Sequence, residues 1–408
     1  MVITRDSIIS NSNKPVVLEM LYKENKKAFS ELIEQLHNEN IDCFAVQFWY
    51  ARLFLKKEVK EGKYSYWQYV IVICLIALSW LPVKISTLDS YIDNEIFVRI
   101  IPVTFSYALS LFFFRKGLII KNVILTTILH LALLVYYLFL PLNTISQSIT
   151  NALYFGLIIM WFFVWLSYSS YKINGIATLS EFMKITAETI IWSTLFILGG
   201  VVLVLLLTSL FSTIGINANS FILNNIVTLG LCAAPFVSLL VLERIEKIRI
   251  STILTNIFLP LFLVSILSFG IVSLFTNNKP YETRNVFITY NIMLVIVICL
   301  LVYAITNSEG NRYIKIFSNI LAVCSIVLDG IVLSATIYRI SAYGYTPNKV
   351  TLLVANIVML GNLIYIIVIG CKDKEYTSYS KKILYFLPVY FVLAIIIVFI
   401  FPIVFKYK

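Results

Sequence analysis

Charge is what this chain has least of. Asp, Glu, Lys and Arg make up 13% of its 408 residues, about half the share that a water-soluble domain uses, which excludes a soluble fold. Histidine occurs twice, and the six cysteines (Cys43, Cys74, Cys232, Cys299, Cys324 and Cys371) form no C-x-x-C pair and no Cys/His cluster. That spacing argues against a zinc or redox centre and against a disulfide framework. H-E-x-x-H, G-x-S-x-G and a Walker loop are all missing, so no enzyme signature and no cofactor site is legible.

Apolar residues fill the space that charge leaves. They make up 60% of the chain, mean hydropathy is +0.90, and the apolar runs recur almost without pause. A spanning helix needs about 20 such residues. The runs predict eleven spans, near 66–83, 96–114, 122–140, 149–168, 188–211, 219–242, 252–276, 285–306, 313–341, 349–370 and 382–405. Helices are required because unpaired backbone is costly in hydrocarbon, and the runs lack the alternation of a barrel strand. The fold class is therefore all-α: a polytopic transmembrane bundle over 64–408, in contact with the lipid bilayer, behind an N-terminal amphipathic segment, 1–63.

Basic residues orient the bundle. With the N-terminus cytoplasmic and eleven spans, 24 Lys and Arg fall in inner segments and 7 in outer ones, with Arg99 inside a span. This asymmetry is the positive-inside pattern of a cytoplasmic (inner) membrane protein of bacterial type, with the C-terminus outside. It also accounts for the net charge of +11, so nucleic-acid binding need not be invoked. Roughly sixty polar and amphipathic residues precede the first apolar run, which predicts an uncleaved first span rather than a signal peptide.

In the N-terminal segment, Val17, Leu21, Ala28, Leu32 and Leu36 share a helical face, and aromatics followed by Lys56, Lys57, Lys60 and Lys63 come next. This predicts a helical hairpin on the inner leaflet, with Phe48 and Trp49 in the interface, or a docking site for a cytosolic protein.

Polar residues inside the spans carry the functional expectations, because an ionisable group at mid-bilayer needs a partner or a watery cavity. Asp329 falls near the middle of the ninth span, and Gly330 after it would let a helix or ion approach the backbone. His130 lies at a similar depth in the third span and would reach Asp329 if those helices touch. A proton or cation site, a substrate contact and a packing role all remain open for this pair. Arg99 and Arg339 lie near outer helix ends, where long side chains snorkel. Asn224, Asn225, Asn256, Asn291, Asn356 and Asn362 read as interhelical hydrogen-bonding groups. Gly199 with Gly200, the stretch 232–236 and Pro260 read as close packing or kinks. Thr178 and Glu181 have capping-box spacing, which predicts a helix start.

Between the ninth and tenth runs stands YRISAYGYTPNKV, residues 338–350. Gly344 permits a left-handed turn and Thr346 before Pro347 suits a helix N-cap, so a tight outer hairpin is predicted. The spacing of Arg339, Ile340, Tyr343, Gly344, Thr346 and Lys349 resembles the signature of an uncharacterised bacterial multi-pass membrane family, the domain of unknown function 4153 type. Tyr345 and Lys349 depart from that pattern, which carries leucine and arginine there. The resemblance covers roughly the C-terminal half and implies fold and location, not a substrate. Many spans, short loops and a midplane carboxylate favour transport of a small solute or ion. The rivals are a sensor or scaffold that recruits a cytosolic protein through residues 1–63, and an intramembrane enzyme acting on lipid.

Overall fold

The computed structural model describes residues 5–12, 14–39, 43–53, 66–88, 94–115, 119–142, 146–172, 176–213, 219–244, 259–264, 266–268, 281, 284–307, 312–373 and 376–408. They are helices and connections, without a strand. The chain divides into two compact units, Met1–Tyr69 and Val70–Lys408.

The first unit holds α1 (Arg5–Ile9), α2 (Pro15–Glu24), α3 (Lys26–Asn38) and α4 (Phe44–Leu53). Asn25 caps α3 by accepting from the Ala28 amide at 3.2 Å. The four helices enclose their own core, which corrects the expected hairpin. From α3 the buried side chains are Phe29, Ile33 and Leu36, one position round from Ala28 and Leu32. Trp49 is buried against Phe29, ring centroids 4.9 Å apart, so it is a core residue and not an interfacial one. Phe48 does face outward. Lys56, Lys57, Lys60 and Lys63 lie outside the described residues.

The second unit is the bundle. Its helices are α5 (Tyr66–Leu88, entering from the first unit), α6 (Asn94–Phe114), α7 (Ile120–Phe139), α8 (Gln147–Tyr168) and α9 (Ile176–Thr213). A π-helical stretch, Ile222–Val227, leads into α10 (Thr228–Arg244), followed by α11 (Arg284–Asn307), α12 (Arg312–Tyr343) and α13 (Pro347–Lys372). The last span is built from α14 (Tyr376–Ile383), α15 (Leu387–Ile395), a π-helical turn Ile396–Ile400 and α16 (Phe401–Val404). Among the described residues, ten helices are long and apolar enough to cross a membrane. The protein is thus a multi-pass membrane protein with an all-α bundle.

α9 is longer than expected. At 38 residues it would extend about 57 Å, nearly twice a hydrocarbon core. Thr178 lies inside it, so Thr178 and Glu181 do not mark its start. A Cβ added at Gly199 or Gly200 would have nothing within 4 Å, so these glycines are not packing contacts.

Polar contacts between helix ends sort into two sets. At one end, Asn348 donates its amide to Gln147 Oε1 (3.3 Å), Ser148 donates its amide to the Lys408 carbonyl (2.9 Å), and Tyr281 and Ser334 share a hydrogen bond (2.7 Å). At the other, Arg115 pairs with Glu243, Asn122 Nδ2 donates to the Ser170 carbonyl (3.0 Å), and Lys315 Nζ donates to the Asp373 carbonyl (2.6 Å). Lys382 beside Asp373 holds that carboxyl below the usual range. Arg244 follows Glu243 at this second end, whereas Arg284 lies one turn before Phe287, the ring under Arg339 at the first. Of the predicted span 252–276, which falls between them, residues 259–264 and 266–268 are described and are helical.

Candidate functional site

Asp329 stands near the middle of α12 and is fully buried. Helical spacing puts Leu321, Ser325, Leu328 and Val332 on the same inward side, and each is buried. Ser325 spends its hydroxyl on the Leu321 carbonyl at 2.7 Å, one turn back in its own helix. Neither carboxyl oxygen of Asp329 has a hydrogen-bond partner among the described residues. Gly330 faces outward, and a Cβ added there would have nothing within 4 Å, which corrects the expectation that a neighbouring helix approaches at this point.

One polar side chain from another helix lies within electrostatic reach of this carboxyl. The Tyr390 phenol, on α15, is within electrostatic reach of Asp329 and of Cys299 on α11. Asn362, on α13, donates Nδ2 to Tyr390 Oη at 2.9 Å, and its own Oδ1 is buried without a partner among the described residues. The two carboxyl oxygens of Asp329 and the amide oxygen of Asn362 are each buried acceptors without a donor among the described residues. Buried acceptors of this kind are destabilising unless a proton, a cation or water satisfies them. Hard oxygen ligands suit a proton or an alkali cation better than a transition metal.

His130 belongs to a different place. Its Nε2 lies 3.1 Å from Ser106 Oγ and its Nδ1 2.9 Å from the Thr126 carbonyl, so both ring nitrogens are occupied. The ring packs on Tyr107 and Phe163, and no contact joins it to Asp329. The two candidates are not brought together.

The hairpin forms as its residues dictate. Gly344 has φ +73°, and the Thr346 hydroxyl caps α13 by accepting from the Lys349 amide at 3.4 Å, with Pro347 in the first turn. Lys349 Nζ donates to the Gly344 carbonyl at 2.8 Å and lies over Tyr343, while Arg339 lies over Phe287 at 5.2 Å. Asp329 is ten residues from Arg339 along α12, about 15 Å, so the hairpin is a structural closure at some distance from the carboxyl.

Arg99 departs most from expectation. It does not snorkel: it is 2% exposed and donates to the carbonyls of Tyr137 (2.8 Å), Leu140 (2.6 Å) and Pro141 (2.7 Å), with Glu95 at 3.7 Å. These carbonyls end α7 and have no partner within the helix, so the guanidinium caps α7 from α6. The asparagines largely act as predicted, with Asn356 Nδ2 bonded to Asn291 Oδ1 at 3.0 Å across α13 and α11. Asn225 likewise bonds between helices, accepting from Lys84 Nζ of α5 at 2.6 Å. Asn256 lies outside the described residues. Sequence reasoning missed Tyr390 and Ser106, since one tyrosine or serine in a spanning helix carries no signal of its own.

Comparison of the chain with family models, with curated proteins and with solved structures found no match.

Proposed function

We propose that the bundle is a transporter or permease for a small solute or ion, and that Asp329 is its proton- or cation-exchange group. The observation that carries this reading is a fully buried carboxyl on α12 without a hydrogen-bond partner among the described residues, with the Tyr390 phenol of α15 within electrostatic reach. Intramembrane carboxyls facing a bundle interior are a recurrent device for coupling ion movement to a conformational change. The charge asymmetry supports an inner-membrane location, with the N-terminus cytoplasmic and the C-terminus outside. Membership of the hairpin-bearing family of unknown function is part of the same proposal and rests on residues 339–349.

Purified full-length protein melted across pH, and in Na+ or K+ against a large organic cation at equal ionic strength, tests the reading. The native protein should show a pH- or cation-dependent melting shift that Asp329→Asn abolishes. Identical curves for the two proteins would remove Asp329 as a coupling group.

A second reading has its own observation. The first unit presents Val16, Met20, Phe44 and Phe48 more than half exposed, apolar side chains that a sensor or scaffold would offer to a cytosolic protein. Deleting residues 1–63 should then abolish co-purification of that partner while leaving the bundle intact. The lipid-enzyme reading through Asp329 and His130 loses its support, because the two residues occupy separate sites.

A further inference from the structure

Contacts between α12 and α13 fix how these two antiparallel helices lie against each other. Lys315 reaches the Asp373 carbonyl, and a Cβ added at Gly370 would stand 2.5 Å from Asn319 Oδ1, so Asn319 and Gly370 are level and face each other. Asp329 is ten positions on from Asn319, and Asn362 is eight positions back from Gly370. At a rise of about 1.5 Å per residue the two stand within about 3 Å of the same height. Each position turns the chain by about 100°, which puts either residue about 80° round from the facing line. In an antiparallel pair these equal turns bring Asp329 and Asn362 to the same flank. Tyr390 of α15 sits on that flank, since Asn362 Nδ2 donates to its Oη at 2.9 Å.

Hydrogen bonding on this flank is incomplete in a complementary way. The Tyr390 oxygen accepts from Asn362, and its own proton has no acceptor among the described residues. Neither oxygen of Asp329 has a donor among them. A buried carboxylate needs such a donor far more than a neutral carboxyl does. The phenol is a spare donor in reach, and Cys299, the other titratable group near it, offers only a weak S–H.

We infer, resting on the exchange role given above to Asp329, that the exchanged ion is a proton and that Tyr390, held by Asn362, is the positioning residue that donates to the carboxylate after the proton has left. The proton passes from the Asp329 carboxyl to water, and the phenol keeps its own. An alkali cation stripped of water needs a ring of oxygens in place of its hydration shell. Here the described residues offer the carboxyl, the amide oxygen of Asn362 and a phenol oxygen that already accepts a hydrogen bond. That is too few for a shell, whereas a proton needs one oxygen.

The test is infrared difference titration of the full-length protein in membranes, with and without ring-deuterated tyrosine. In the native protein, the carboxyl band that Asp329→Asn removes should have one midpoint in Na+, in K+ and in a large organic cation at equal ionic strength. A tyrosine band, identified by its isotope shift, should follow that midpoint. Tyr390→Phe should delete the tyrosine band and move the carboxyl midpoint toward alkaline pH by about one to two units, the worth of one hydrogen bond to a charged group. Cys299→Ala should leave the midpoint in place. A midpoint that differs between Na+ or K+ and the organic cation would overturn the proton. A carboxyl band with no tyrosine band titrating beside it would overturn the phenol's role in the native protein, before any variant is made. An unmoved midpoint in Tyr390→Phe, or one moved by Cys299→Ala, would overturn it too. A native spectrum without an Asp329 band is a separate failure, which removes the exchange role itself and the phenol's part with it.

Discussion

Replacing Arg99 gives the sharpest test of how the bundle is held together. The guanidinium is buried and makes three hydrogen bonds to the end of α7, of the charged kind worth about 1.5–3 kcal/mol each. The three share one donor group, so they do not add. Arg99→Met removes the donor while keeping much of the apolar stem, and strands the carbonyls of Tyr137, Leu140 and Pro141 with Glu95 beside them. Removing one side of such a buried charged contact costs on the order of 3–5 kcal/mol. For a chain of this length that corresponds to a melting temperature lower by about 3–6 °C. Arg99→Lys keeps the charge as a single point that reaches one or two of the carbonyls, so an intermediate loss is expected. The assay is thermal unfolding of the detergent-solubilised protein, with membrane levels of each variant as a parallel readout. A snorkelling arginine would predict a near-silent lysine variant. If lysine matched the native protein and methionine cost less than about 1 kcal/mol, the capping role would be refuted.

Two further outcomes follow from particular contacts. A Cβ added at Gly156 would stand 1.6 Å from Tyr137 Oη and 2.9 Å from its Cζ, so Gly156→Ala should cost about 1–3 kcal/mol. Adding Tyr137→Phe should recover part of that loss; an unchanged melting temperature for Gly156→Ala alone would contradict the close packing of α7 on α8. In a background without native cysteines, Tyr345→Cys should react with an impermeant maleimide from outside and Lys381→Cys only after permeabilisation, both positions being exposed. The reverse pattern would invert the proposed orientation.

What could be read from the chain depended on the range of the contact concerned. Spans were legible because a helix in lipid must be apolar over its whole length, and that is a property of consecutive residues. The hairpin was legible for the same reason: Gly344, Thr346 and Pro347 act on partners within a few positions. The depth of Asp329 could be counted along its own run. Arg99 could not be understood that way, because the carbonyls it caps are 38 to 42 residues distant and belong to the next helix. His130 was paired with the wrong residue since depth along a helix does not say which helices touch. Trp49 looked interfacial because aromatics near a membrane often are, but α2 and α3 supply enough apolar surface to bury it. The approach of Tyr390 on α15 to Asp329 on α12, and the hydrogen bond Tyr390 accepts from Asn362 on α13, leave no periodic trace in the sequence.

The central claim is that Asp329 exchanges a proton or cation inside the bundle. Infrared difference spectra of the membrane-reconstituted protein, recorded on changing pH and on exchanging Na+ or K+ for a large organic cation, observe a carboxyl directly. The account predicts a carboxyl band that appears or shifts in at least one of these exchanges and is absent from Asp329→Asn, with the rest of the spectrum retained. A native protein whose difference spectrum contains no band removed by Asp329→Asn would contradict it.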